Sequence, residues 1–151
     1  MEIEKKYLID RAVLPEGWEQ CETLQIEQAY LCTDPVVRIR RQDDDYFLTY
    51  KGRGLMVREE VDLPLTREAY LHLREKADGN IIAKCRTLIP YGKYTIELDI
   101  FAAPFRGLIL AEVEFETEEE ALAFEPPAWF GQDVTLDGEY QNSFLSRKKY
   151  T

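Results

Sequence analysis

The chain has 151 residues, 45% of them apolar, with 19 lysines and arginines against 29 aspartates and glutamates and a formal net charge of −10. That length suits one domain, 1–151, with a buried core, and the apolar fraction excludes a disordered chain. The acidic balance argues against general nucleic-acid binding and against anionic membranes, both of which its field repels, while leaving room for a local basic pocket.

A strand is expected over 2–9. Side chains on a strand alternate between two faces, so Glu2, Glu4 and Lys6 share one face and Ile3, Tyr7 and Ile9 the other, with Lys5 the single charge on the apolar side. A second strand, 25–32, sets Gln28 and Tyr30 opposite Ala29 and Leu31, and Thr33-Asp34-Pro35 ends it. On 36–41, Arg38 and Arg40 oppose Val37 and Ile39. Asp43-Asp44-Asp45 reads as a hairpin loop into 46–51, where Thr49 and Lys51 oppose Leu48 and Tyr50. On 56–63, Arg58, Glu60 and Asp62 oppose Val57, Val61 and Leu63, with Glu59 the exception.

Thr66 caps a helix running to about Ala77, and Asp78-Gly79 stops it. On the strand 81–89, Lys84 and Arg86 oppose Ala83 and Cys85. Pro90-Tyr91-Gly92-Lys93 then turns the chain into 94–101, where Glu97 and Asp99 oppose Ile96, Leu98 and Ile100. On 108–116, Glu112, Glu114 and Glu116 oppose Ile109, Ala111, Val113 and Phe115. Thr117-Glu118-Glu119-Glu120 is a capping box for a helix that Pro126-Pro127 ends, and its acids suit a helix N-terminus. A short helix at 139–148 closes the chain, with Tyr140, Phe144 and Leu145 on one face.

Eight short strands joined by short turns favour antiparallel pairing and are enough to close a barrel. The expected class is therefore mainly β, an eight-stranded antiparallel closed barrel with flanking helices. Cys21, Cys32 and Cys85 are odd in number with no C-x-x-C spacing, which suggests neither a disulfide framework nor a zinc site. No basic stretch precedes an apolar run at the N-terminus, and no segment approaches membrane-spanning length, so the expected compartment is a reducing cytoplasm.

Two arrangements fit the two-faced strands. In one, charged faces meet water and apolar faces line a core, or enclose an apolar ligand as in lipocalin-like barrels. In the other, the barrel is inside out and the charged faces line a channel. The sorting of signs favours the channel. Lys6, Arg38, Arg40, Lys51, Arg58, Lys84 and Arg86 carry the positive charge, and R-x-R, K-x-R, E-x-E and E-x-D recur within single strands. Like charges two apart gain nothing on an exposed sheet. They make sense as clamps, basic pairs on a polyanion and carboxylate pairs on a divalent metal. A triphosphate with Mg²⁺ or Mn²⁺ satisfies both sets.

These residues resemble a known family. Glu2-x-Glu4-x-Lys6, Arg38-x-Arg40, Lys51 in Leu-Thr-Tyr-Lys-Gly, Lys84-x-Arg86, Glu97-Leu98-Asp99-x-Phe101, Ala111-Glu112-Val113-Glu114-Phe115, Val134-Thr135 and Tyr140-x-Asn142 stand in the order seen in the short bacterial form of the CYTH superfamily, the triphosphate tunnel metalloenzymes. The resemblance spans nearly the whole chain. It implies metal-dependent cleavage of the terminal phosphoryl group of a small-molecule triphosphate, inorganic tripolyphosphate in the short bacterial members, with no nucleic-acid or membrane partner and a monomer or homodimer as the working unit. Relatives include thiamine triphosphatases, class IV adenylate cyclases and RNA triphosphatases, and a tunnel that holds nucleotide or polyphosphate without turnover is a further alternative. Carried over, Arg38, Arg40, Lys51, Lys84 and Arg86 form the triphosphate cradle, joined by Lys6 and Arg58. Glu2, Glu4, Glu112 and Glu114 correspond to metal ligands, with Glu60 and Asp99 as further members. Glu4 stands where an attacking water is oriented, Lys6 and Tyr30 correspond to a dyad at the same end, and the last helix corresponds to a plug at one mouth. Asp62 departs from the family pattern, where a Glu is expected. His72, the sole histidine, reads as a helix residue without catalytic duty.

Overall fold

The computed structural model describes residues 1–147, so the last residue of the helix expected over 139–148 lies outside the described residues. The expected antiparallel strands are present. β1 (Glu2–Leu8), β2 (Thr23–Thr33), β3 (Val36–Gln42) and β4 (Asp45–Lys51) are followed by β5 (Val57–Arg58), β6 (Glu60–Pro64) and helix α1 (Arg67–Arg74). β7 (Asp78–Tyr91), β8 (Tyr94–Phe101), β9 (Ile109–Glu114), α2 (Glu118–Ala123) and α3 (Asn142–Arg147) complete the order. All strands pair antiparallel in one sheet, β5-β1-β9-β8-β7-β2-β3-β4-β6. No helix among the described residues is long and apolar enough to cross a membrane.

The strand expected over 56–63 is two strands, which makes nine among the described residues instead of eight. The cause is where their partners lie. β5 pairs with β1 through Glu2↔Arg58, whereas β6 pairs with β4 through Lys51↔Glu60. Residues 57–64 thus reach both edges of the sheet and bring the barrel nearly to closure. Glu59 sits at the crossing, and its carbonyl accepts from the Gly52 amide at 2.9 Å. The preceding turn needs Gly54, at φ +130, where a Cβ would lie 2.2 Å from the Val57 carbonyl oxygen.

Local chemistry sets the other joins. Asp43 turns the β3–β4 hairpin at φ 52, a conformation Asp tolerates. The β7–β8 turn is tighter than expected, since Pro90 still pairs with Thr95 and only Gly92 and Lys93 lie between the strands. Thr66 and Thr117 cap α1 and α2, accepting from Ala69 and Glu120 amides at 3.1 Å each. The final helix begins later than expected. Asp137 caps a 3-10 turn over Gly138–Tyr140, and Gln141, extended at ψ 141, separates it from α3.

The apolar strand faces point outward and are covered by helices and loops. Ala29 and Ile39 pack beneath Tyr70 of α1. Ile96, Leu98, Ala111 and Val113 pack beneath Ala121 of α2 and the aromatic residues Phe124, Trp129 and Phe130 that follow it. Each fully buried aliphatic side chain contributes about 1.5–3 kcal/mol. The barrel is therefore inside out, with its charged rows within. One feature of the interior goes beyond the alternation. Leu8, Val36, Ile82, Phe101 and Leu110 belong to the same inward rows, yet they pack with Phe105, Val134 and Leu145 of α3. The interior is charged along most of its length and stoppered by apolar side chains at one end.

Candidate active site

The inward rows converge on one cavity. Glu2, Glu4, Lys6, Tyr30, Arg38, Arg40, Lys51, Arg58, Glu60, Arg86, Glu112 and Glu114 all line it, with Gln141, Asn142 and Ser143 at the start of α3. Register explains the grouping. Directly paired residues share a face, and the ladders pair Glu4 with Glu114, Lys6 with Glu112, Tyr30 with Arg38 and Lys51 with Glu60. Of the expected site residues, Lys84 and Asp99 are not in the cavity wall. They lie against each other at 2.7 Å, with Lys84 over the Phe101 ring at 5.3 Å, beside the apolar stopper.

The acidic side is a cluster of carboxylates. Oxygens of Glu2, Glu4 and Glu114 all lie within 4.8 Å of one another. Burial, then repulsion from Glu112 and Glu2, holds Glu4 above the usual carboxylate range. Burial also raises Glu2 and Glu114, with Glu60 adding to the first and Glu2 and Glu4 to the second. Lys51 offsets part of this, its Nζ 2.9 Å from Glu2 and 3.8 Å from Glu60. Arg58 stands 3.7 Å from Glu2. A donor set of hard oxygens whose charges repel one another fits a hard divalent cation.

The basic side divides into spent and unspent charge. The Arg86 guanidinium donates to Asp99 at 2.7 and 2.9 Å, to Glu97 at 2.7 Å and to Glu112 at 3.3 Å. Asp99 is held by Lys84 and Arg86, which keep its carboxyl below the usual range against the opposing effect of burial. Burial and Arg86 push Lys84 down to about 8. Lys6 donates to the Tyr140 carbonyl oxygen at 3.1 Å and lies 3.4 Å from Glu112. Burial opposes its charge, but Glu112 and Glu4 prevail and raise it. Tyr30 stands directly across the β2–β3 ladder from Arg38 and lines the same cavity as Lys6. Arg38 and Arg40, by contrast, have no carboxylate within ion-pair distance among the described residues.

Residues outside this set behave as expected or add detail. Asp62 is exposed and accepts from the Thr49 hydroxyl at 2.5 Å. Lys5 lies 3.6 Å from Asp133 on the outer side, and His72 is exposed on α1. Charge alternation did not single out Gln28, which accepts from Arg40, nor the wall formed by Gln141 and Asn142 at the start of α3; it did place Glu97 inside, but not in the site. Glu97 shares the charged face of β8, and burial with opposing help from Arg86 leaves it at about 7.

The profile of the CYTH domain matches residues 1–143. The chain belongs to the CYTH family. Within it, the chain is 37% identical over 150 residues to an inorganic triphosphatase of Nitrosomonas europaea, covering 96% of each protein. It is 30% identical over 154 residues to an inorganic triphosphatase of Acetivibrio thermocellus, covering 99% of this chain and 95% of that one. Among solved structures, the inorganic triphosphatase NE1496 superposes with a TM-score of 0.73 at 33% identity, over 99% of this chain and 96% of that one. The CYTH fold extends to a putative adenylyl cyclase from Hippeastrum, matched at a TM-score of 0.61 and 16% identity over 82% of this chain and 83% of that one.

Proposed function

We propose that this CYTH protein is a divalent-metal-dependent triphosphatase whose substrate is inorganic tripolyphosphate, with Mg²⁺ or Mn²⁺ as the metal. One observation carries the reading: two arginines with no carboxylate at ion-pair distance among the described residues face a repelling carboxylate cluster across a single cavity. A metal-bound polyanion cancels both imbalances. The names of the two triphosphatase relatives support the same activity. The wall supports an inorganic substrate, because Val36 is the only aliphatic residue lining it among the described residues. A nucleobase or a thiazole ring would find little to pack against there.

Roles follow from the charge partition. Glu2, Glu4 and Glu114 would hold the metal, with Glu60 and Glu112 at the margin. When bound, the metal shields phosphate charge and acidifies a water. Arg38 and Arg40 present guanidinium forks to phosphate oxygens. Lys6, steadied by Glu112 and the Tyr140 carbonyl, keeps a point charge beside the carboxylates, where it offsets charge that develops during in-line displacement. Asp99 serves as counter-ion to Arg86 in the cavity wall and to Lys84 behind it. We infer a cytoplasmic setting, as monomer or homodimer, since an exposed thiol at Cys32 suits a reducing compartment.

The test is phosphate release from tripolyphosphate, ATP and thiamine triphosphate, each with Mg²⁺, Mn²⁺ or EDTA. Fast release from tripolyphosphate alone, abolished by EDTA, is expected. Tight binding of tripolyphosphate without release would instead make the protein a polyphosphate-binding module.

A further inference from the structure

Gln28 lies on β2, directly opposite Arg40 and Ile82 in the two neighbouring ladders, and has 0% exposure. Its Oε1 accepts from Arg40 Nε at 2.8 Å and from Arg40 Nη2 as well. Two bonds to one oxygen fix the plane of the guanidinium. The amide orientation is forced, because turning it over would aim its NH₂ at arginine donors. The same kind of fork on Arg86 meets Asp99, whose carboxylate cancels the charge it orients. At Arg40 the acceptor is neutral. Nor is Gln28 a fully satisfied core residue: its Nε2 is buried without a partner among the described residues. A glutamate of the same size would pair with Arg40 and leave no such donor, so folding alone gives no reason for the amide. Burial, Arg38 and Arg86 push Arg40 down to about 9, which still leaves it cationic at neutral pH.

We infer that Gln28 is a positioning residue for substrate: it orients the Arg40 fork while leaving its positive charge uncompensated for phosphate oxygens. The inference rests on the reading of the tunnel as the triphosphate site. It is tested with Gln28→Glu, Gln28→Met and Arg40→Ala, using tripolyphosphate kinetics, calorimetric binding of tripolyphosphate in EDTA, and thermal melting. Gln28→Glu is expected to raise KM and weaken binding by about tenfold or more, the scale of a charge-assisted contact, with kcat changed by less than about threefold and the melting temperature not lowered. Gln28→Met, which removes the acceptor but adds no charge, is expected to raise KM by a smaller factor. A structural role alone would move melting and leave this order unseen. Wild-type binding by Gln28→Glu, with binding lost in Arg40→Ala, overturns the inference. Wild-type binding by Arg40→Ala overturns it too, and with it the reading of the tunnel. If Gln28→Glu does not fold, an unchanged KM in Gln28→Met overturns the inference by itself.

Discussion

Glu4 is surrounded by carboxylates and two ammonium groups: burial, Glu112 and Glu2 raise its pKa, and Lys6 and Lys51 oppose them. Glu4→Gln keeps the shape and removes the charge. Tripolyphosphate hydrolysis should fall about a hundredfold or more in kcat, since a proposed metal ligand is lost, with KM changed far less. In EDTA the same variant should melt higher than wild type at neutral pH. A carboxyl raised in the fold binds its proton more tightly there than in the unfolded chain, so the wild type loses stability as pH rises from the ordinary carboxylate pKa through the folded one. The advantage of the variant should therefore vanish as pH falls through that window, and melting curves between about pH 4 and 8 read it directly. Arg38 and Lys84 make the complementary pair. Arg38→Ala should raise KM about tenfold or more, removing an unspent charge. Lys84→Met should mainly lower stability, because it leaves the fully buried Asp99 with one cation fewer. Equal KM effects from the two would show that spent and unspent charge are not distinguished by substrate.

At the level of strands and helices, alternation identified which face was charged but not how deep along the barrel each residue lay. Arg38 and Val36 stand on one row of β3, as do Lys84 and Ile82 on β7, yet one of each pair belongs to the charged region and the other to the apolar stopper. Period two carries no information on depth, so Lys84 and Asp99 could be placed inside from sequence but not assigned to the back of the cradle. Gln28 could be placed on the inner face of β2, but its role was illegible for a different reason. It is neutral, and its role appears only when the β2–β3 register sets it against Arg40. The break at Glu59 was visible as an exception to alternation, while its meaning needed the two sheet edges. The docking of α3 rests on contacts distant in sequence. Asn80 donates to the Leu145 carbonyl oxygen at 3.0 Å, and Gly79, at φ +75, lies so close that a Cβ would come within 2.1 Å of the Ser146 carbonyl oxygen. Gly79→Ala should displace α3, lowering the melting temperature by several degrees, on the order of 5 °C for one to two kcal/mol of strain. Faster amide exchange across Asn142–Arg147 would confirm where the damage falls.

For the molecule as a whole, the net charge of −10 and the basic cradle are compatible because Lys6, Arg38, Arg40, Lys51, Arg58 and Arg86 are gathered in one cavity, apart from the acidic exterior. The bulk field sets solubility, and the tunnel sets chemistry. Metal binding should couple to global stability, since the carboxylate cluster repels itself without a cation. Saturating Mn²⁺ or Mg²⁺, at about a hundred times Kd, should add about 2.7 kcal/mol, or roughly 5–10 °C in melting temperature for a chain of this size. The shift should disappear in Glu4→Gln. The seam between β5 and β6 gives this coupling a location. It works as a clasp, because Arg58 reaches Glu2 on one edge while Glu60 reaches Lys51 on the other, and both catches are made of site residues. The ladder beneath Arg58 is only two pairs long. Breathing of the ring should begin there, with the amides of Val57 and Arg58 exchanging ahead of β8 in the free protein. Cargo in the tunnel then fastens its own container: metal and tripolyphosphate together should slow exchange at the clasp more than at any other strand.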